Sequence, residues 1–137
     1  MISKEHRFAG QAGLRYVYRH GQTVRGPLFS TKSVLNSRRA SYRAAVVISR
    51  KVHKSAVVRN KIRRRLYEAI RLLEDDIAGP YDIVLNVFID SIADEPAESL
   101  KRQLQKQLTQ AGVLARRVKN WHTYAINHSP IYLLVTI

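Results

Sequence analysis

The chain contains no cysteine. Disulfides and thiolate zinc sites are therefore excluded together, and the absence is consistent with a reducing compartment. Long apolar runs are missing as well. The longest mostly apolar stretch, 131-IYLLVTI-137, falls far short of the ~18 residues a membrane-spanning helix needs. Met1 to Arg7 holds no apolar core of a secretory signal. A soluble, cytoplasmic protein is the expectation. Glycine numbers only six, in no phosphate-cradling pattern. His6, His20, His53, His122 and His128 are scattered, with no ligand spacing such as His-x-x-x-His. Asp75-Asp76 has no partner at a metal-site spacing and reads as a solvated pair. The residues of a protein-borne hydrolytic centre are not assembled anywhere in the pattern.

Carboxylates are also scarce. Ten Asp and Glu face 24 Lys and Arg, a net charge of +14 at pH 7. A field that positive draws in polyanions and raises their association rate. Nucleic acid is the first candidate partner and a membrane surface the second. The 137 residues make one domain, and at 45% hydrophobic they can bury a core rather than form a disordered polycation.

Apolar periodicity supplies a coarse order of elements. Leu14, Val17 and Tyr18 share a helical face within residues 11–20, and Gly21 is a fitting stop. Residues 27–35 and 43–49 read as strands, the second a compact apolar run suited to burial on both faces. Ser55 can cap a helix beginning near Ala56 and ending before Gly79-Pro80. Residues 81–88 read as a strand. Asp94 or Glu95 ahead of Pro96 opens a last helix, with Leu100, Leu104, Leu108 and Ala111 as its stripe and Gly112 as its end. This order predicts an α/β (α+β) two-layer sandwich, a mixed central sheet flanked by helices. The tail beyond residue 115 holds the only tryptophan, Trp121, and an apolar end that could form one more strand.

The helix after Ser55 carries the strongest signal. Val58, Leu66, Ala69 and Leu73 fall within about 40° of Ile62 on a helical wheel. Arg59, Arg63 and Tyr67 lie on one flank of that stripe, Lys61 and Arg65 on the other, and Asn60 and Arg64 opposite it. Residues 50–65 hold eight Lys and Arg and no carboxylate. Ordinary solvated faces mix signs, because like charges at i,i+4 repel. A rigid row of phosphate contacts is the reading that accounts for the cluster, with arginine favoured for its bidentate fork. Arg50, Lys51 and Lys54 extend the row along the preceding loop, and backbone N–H groups at the helix start suit an anion too.

The run 49-SRKVHKSAVVRNKIRRRLYEAIR-71 resembles the protein subunit of bacterial ribonuclease P. That family carries a basic loop, then Arg-Asn-Arg-x-Lys-Arg and x-x-Arg-Glu on a helix. Here Arg59, Asn60, Lys61, Arg63 and Arg64 answer the first motif, while Tyr67 stands before Glu68 where an arginine is usual. Glu5-His6-Arg7, the segment Tyr16 to Gly21, and Gly79 to Val84 match the family's flanking segments, so the likeness covers roughly residues 4–115. The resemblance implies residues 1–115 as an RNA-binding domain and 116–137 as a C-terminal extension. It implies a left-handed crossover between parallel strands.

It also implies an endoribonuclease whose catalyst is RNA and which removes the 5′ leader of precursor tRNA. Mg²⁺ would be held mainly by that RNA and none by the protein alone. The partners implied are the catalytic RNA and precursor tRNA, with no membrane and no obligate protein partner. The RNA-binding set would be Arg50, Lys51, Lys54, Arg59, Asn60, Lys61, Arg63, Arg64 and Tyr67, with no catalytic residue. A leader cleft would use Leu14, Tyr18 and Phe29, although Tyr18 and Phe29 would serve equally well as core. A non-enzymatic RNA-binding protein, such as a ribosomal protein or assembly factor, shares the electrostatic features. A DNA-binding helix fits less well, since no helix-turn-helix partner precedes the basic helix.

Overall fold

Ser55 caps the long basic helix as its position suggests: its hydroxyl accepts from the Val58 N–H at 3.4 Å. The computed structural model describes residues 2–115. Within them helix α1 spans Ala12–His20, β1 Gln22–Arg25, β2 Phe29–Leu35, β3 Arg43–Val47, α2 Ala56–Leu73, β4 Tyr81–Val87 and α3 Ala97–Gln110. Short 3₁₀ turns occupy Lys4–His6, Glu74–Asp76 and Asp90–Ala93. The apolar end of the tail, expected as a possible strand, lies outside the described residues.

The sheet order is β1-β2-β4-β3. β1 and β2 form an antiparallel hairpin, β2 and β4 are antiparallel, and β3 and β4 run parallel. Parallel neighbours need a crossover, and α2 supplies it. β1 is an addition to the sequence expectation. Gln22-Thr23-Val24-Arg25 offers one apolar residue, and its strand exists through pairing with Ser30 to Ser33. The expected strand at 27–35 starts at Phe29, because Gly26 turns the hairpin and its N–H reaches the Phe29 carbonyl at 3.1 Å.

One sheet face carries Phe29, Ala44, Val46, Ile83, Leu85 and Val87, and packs with Ile62, Leu66, Ile70, Leu104 and Leu108 of α2 and α3 in a continuous core. α1 crosses the other face against β2 and β4, with Val17 fully buried. Two glycines are needed where helices end. Gly112 has φ +77° just past α3, a conformation other residues rarely adopt. A Cβ on Gly21 would run into the Val17 carbonyl oxygen, so only glycine lets the chain turn closely under α1 into β1.

The N-terminal segment seals the β3 edge. Ile2 is buried, Arg7 bridges to Ala44, and the His6 ring stacks on Tyr42 at 4.1 Å. Tyr42 donates to Glu74 Oε2 at 2.7 Å. Burial first, and the Glu74 carboxylate second, push the phenol far above its ordinary range. Folding thus favours the protonated phenol. The stabilisation is complete below about pH 10, where the unfolded phenol titrates, and is lost as pH rises further. Chemical denaturation from pH 9 to 11.5 should show stability falling, with Tyr42 adding up to about 1.4 kcal/mol per pH unit above pH 10. Tyr42→Phe should fall less steeply over that window, and equal slopes would remove the assignment.

Candidate nucleic-acid interface

Three consecutive arginines on α2 meet three different surroundings. Arg63 is half-buried, and its Nη1 donates to Asn60 Oδ1 at 2.7 Å, which fixes both side chains on the outer face. Arg64 is exposed. Arg65 turns inward and donates through Nη1 to the carbonyls of Ile92 at 2.6 Å and Ala93 at 2.9 Å, and through Nη2 to that of Glu95. It ties the basic helix to the turn leading into α3. Lys61 stands 3.9 Å from Asp94, a solvent-exposed pair that leaves the ammonium accessible.

The preceding loop presents exposed Arg50, Lys51 and Lys54. Arg59, expected as a phosphate contact, also has a structural task. Its Nη1 donates to the His53 and Lys54 carbonyls, each at 2.8 Å, and holds the basic loop against the first turn of α2. Glu68 is the one acid in α2, and Arg71 binds it at 3.0 to 3.1 Å through Nε. Those hydrogen bonds hold the Glu68 carboxyl down, to about 2. Val57, missed in the sequence reading, is exposed beside Asn60, Arg63 and Arg64, where they line a shallow hollow of about 400 Å³. An apolar residue inside a cationic patch offers a surface for a ribose or base edge.

Tyr67 does not face this surface. It is 8% exposed, belongs to the core, and its hydroxyl accepts from the Val46 N–H at 3.3 Å. The ring packs α2 against β3, and its hydroxyl is engaged by the β3 backbone. The arginine expected there has no counterpart on the outer face at this position.

The sheet face beneath α1 forms a second region. Tyr18 is exposed, donates to Asn86 Oδ1 at 2.9 Å, and has the Lys32 ammonium 5.3 Å from its ring centre. Lys32 also donates to the Tyr18 carbonyl at 2.8 Å. Partial burial raises the Tyr18 phenol. Arg25 lies 5.0 Å from the exposed Phe88 ring. Leu14 is half-buried on α1. Phe29 is misassigned by the sequence reading: it is fully buried in the core on the opposite face of the sheet. The expected cleft therefore has Tyr18 and Leu14 on its helix wall. Lys32, Asn86, Arg25 and Phe88 come in addition. Strand alternation carried the signal for Asn86 in β4 and for Phe88 just beyond it, since Ile83, Leu85 and Val87 claim the core and leave Asn86 and Phe88 opposite.

The two regions are continuous. Val47, at the end of β3, pairs with Asn86, and the chain then runs three residues to Arg50. Among the described residues, no three His, Asp or Glu side chains gather as metal ligands, and no helix is long and apolar enough to cross a membrane.

Comparison with known proteins identifies the family of the chain. The ribonuclease P family profile, described as "Ribonuclease P", matches residues 2–112. The ribonuclease P protein component of Chloroflexus aurantiacus is 32% identical over 113 residues, covering 82% of each chain. That of a Picosynechococcus strain is 34% identical over 112 residues, 82% of this chain and 95% of the relative. Among solved structures, the Staphylococcus aureus RNase P protein superposes with a TM-score of 0.70 at 24% identity, over 80% of this chain and 98% of the other. The Thermotoga maritima RNase P protein gives 0.67 at 20% identity, over 76% and 96%. At those identities the superpositions show the shared fold, and the curated relatives and the family profile carry membership. The chain belongs to the ribonuclease P protein family.

Proposed function

We propose that the chain serves ribonuclease P by binding the catalytic RNA through α2 and its preceding loop while holding the precursor-tRNA leader beneath α1. The carrying observation is the outward cluster of Asn60, Lys61, Arg63 and Arg64, fixed on a helix whose opposite side is core. Such a rigid array meets phosphates with little ordering of its own, and the Arg63–Asn60 bond already sets one fork. Arg50, Lys51 and Lys54 continue the array towards the leader. Arg59 acts chiefly by shaping that loop.

Tyr18 offers a ring face for unpaired bases, which suits leaders of varied sequence. Lys32, beside that ring, adds a cation for the adjoining phosphate. In this reading Mg²⁺ is held mainly by the RNA, where it supplies the hydrolytic chemistry. The protein's part is positioning and charge neutralisation, and a cytoplasmic location follows from that substrate.

Reconstitution tests the reading. Purified protein alone should not cleave precursor tRNA. Protein added to the catalytic RNA at low millimolar Mg²⁺ should speed 5′ maturation well beyond RNA alone. A mixture no faster than RNA alone would remove the proposal.

A further inference from the structure

A second aromatic surface lies on the other flank of α1. Tyr16 is two residues from Tyr18, so the two side chains project about 160° apart around the helix. Tyr16 is 49% exposed, and its ring stands 4.6 Å from that of His20, tilted by 42°. Leu35, at the end of β2, is 53% exposed and contributes to the rim nearby, with its side chain directed to the Gly79 and Tyr81 side of the sheet. Beside Tyr16 opens a pocket of about 280 Å³, lined also by Asn36, Ser37, Arg38, Gly13, Arg43 and Asp82. This volume lies just below the roughly 300–1,000 Å³ of drug-sized ligand sites, and suits a single flat ring.

The surrounding chemistry selects an anion-bearing ring. Arg19 and His20, three and four residues beyond Tyr16, share its flank of the helix, and Arg38 is exposed on the opposite lip. The one carboxylate in the lining, Asp82, is 1% exposed and already committed to Arg43, at 2.8 and 2.9 Å, and to Asn36 at 3.0 Å. It repels little and cannot recruit a cation from solvent. A half-exposed aromatic face with flanking arginines is a composition that holds unpaired nucleotides.

The site is distinct from the face carrying Tyr18. Asn86, which bonds Tyr18, pairs with Ser30, whereas Leu35 pairs with Tyr81. Five residues of β4 separate the two positions, roughly 17 Å, and α1 itself stands between them. We infer that the pocket beside Tyr16 and Arg38 takes one unpaired base of an RNA strand and pairs its phosphate with Arg38. This inference rests on the chain being a ribonuclease P subunit and adds a second contact to it. The strand's source is either the catalytic RNA or the precursor tRNA.

Binding of the full chain to the catalytic RNA, and of the reconstituted holoenzyme to precursor tRNA, separates the sources. Tyr16→Ala should weaken one of the two about tenfold or more, Tyr16→Phe should restore it, and Arg38→Ala should lower the salt slope of that same step by about one unit. Loss in the first assay assigns the base to the catalytic RNA, and loss in the second to the substrate. All variants should melt with the parent, since both side chains project into solvent. Full binding by Tyr16→Ala and Arg38→Ala in both assays, with Arg63→Ala still impaired in assembly, would overturn the inference alone. Full binding by Arg63→Ala as well would instead remove the α2 reading beneath it. Equal loss from Tyr16→Phe and Tyr16→Ala would overturn stacking at the pocket.

Discussion

Replacing Arg43 by alanine is expected to lower folding stability by about 3–5 kcal/mol, measured by urea unfolding at pH 7. Arg43 opens β3 and Asp82 lies directly opposite it near the start of β4. The guanidinium grips the carboxylate with Nε at 2.9 Å and Nη2 at 2.8 Å, and its central carbon lies 4.4 Å from the centre of the Phe8 ring. Asp82 is 1% exposed, so its charge has no access to water. Burial of an ion is costly in itself, and the pair is tolerable only because Arg43 and Asn36 together fill the carboxylate's acceptor sites. Removing Arg43 leaves a buried carboxylate with Asn36 alone.

The reciprocal change, Asp82→Ala, should cost less, because the Arg43 side chain is 15% exposed and can turn towards solvent. A joint apolar replacement of both should recover much of the loss, and the double-mutant cycle should report strong coupling. Moderate salt should leave the effect nearly intact, since buried pairs are poorly screened. A loss below about 1 kcal/mol for Arg43→Ala would class the pair with exposed ion pairs and refute the account. The same pair fixes the register of the parallel strands on either side of α2, and so bears on where the basic helix stands.

How much of this was legible beforehand depends on which force builds each part. α2 was readable because its cap, stripe and stop are all local: Ser55, then Val58 to Leu73 at helical spacing, then Gly79-Pro80. The same holds for α3, whose end at Gly112 needs a left-handed residue. β1 was not readable, since a strand with one apolar residue gains its stability from a partner. Phe29 and Tyr67 failed for a related reason. An aromatic in a strand says nothing of which face it takes until register is known, and the register puts Phe29 opposite Val87 in the core. Tyr67 lies about 140° from Ile62 on the wheel, outside the apolar stripe. The helix is nevertheless enclosed by β3 as well as α3, so its buried arc is wider than that stripe. Asp82, a lone acid in an apolar strand, was the available cue to the ion pair and was read only as part of a strand.

Charge density, too, reveals a surface without dividing the labour within it, and the arginine triplet offers the test. Arg63→Ala combined with Arg64→Ala should leave thermal stability close to the parent, because neither guanidinium supports the core. Each hydrogen bond to a phosphate contributes about 1.5–3 kcal/mol. The double variant should therefore bind the catalytic RNA at least a hundredfold more weakly and lose about two units of salt slope. Arg65→Ala should behave in the opposite way. Three carbonyls, of Ile92, Ala93 and Glu95, lose their donor together, and stability should fall by about 2–3 kcal/mol. Its salt slope should stay at the parent value, since Arg65 makes its contacts inside the protein. A slope lowered by Arg65→Ala in a fully folded chain would mean that the guanidinium leaves those carbonyls for RNA. The contrast between adjacent arginines thus separates a helix that is merely basic from one in which one arginine anchors the fold while its neighbours remain free for RNA.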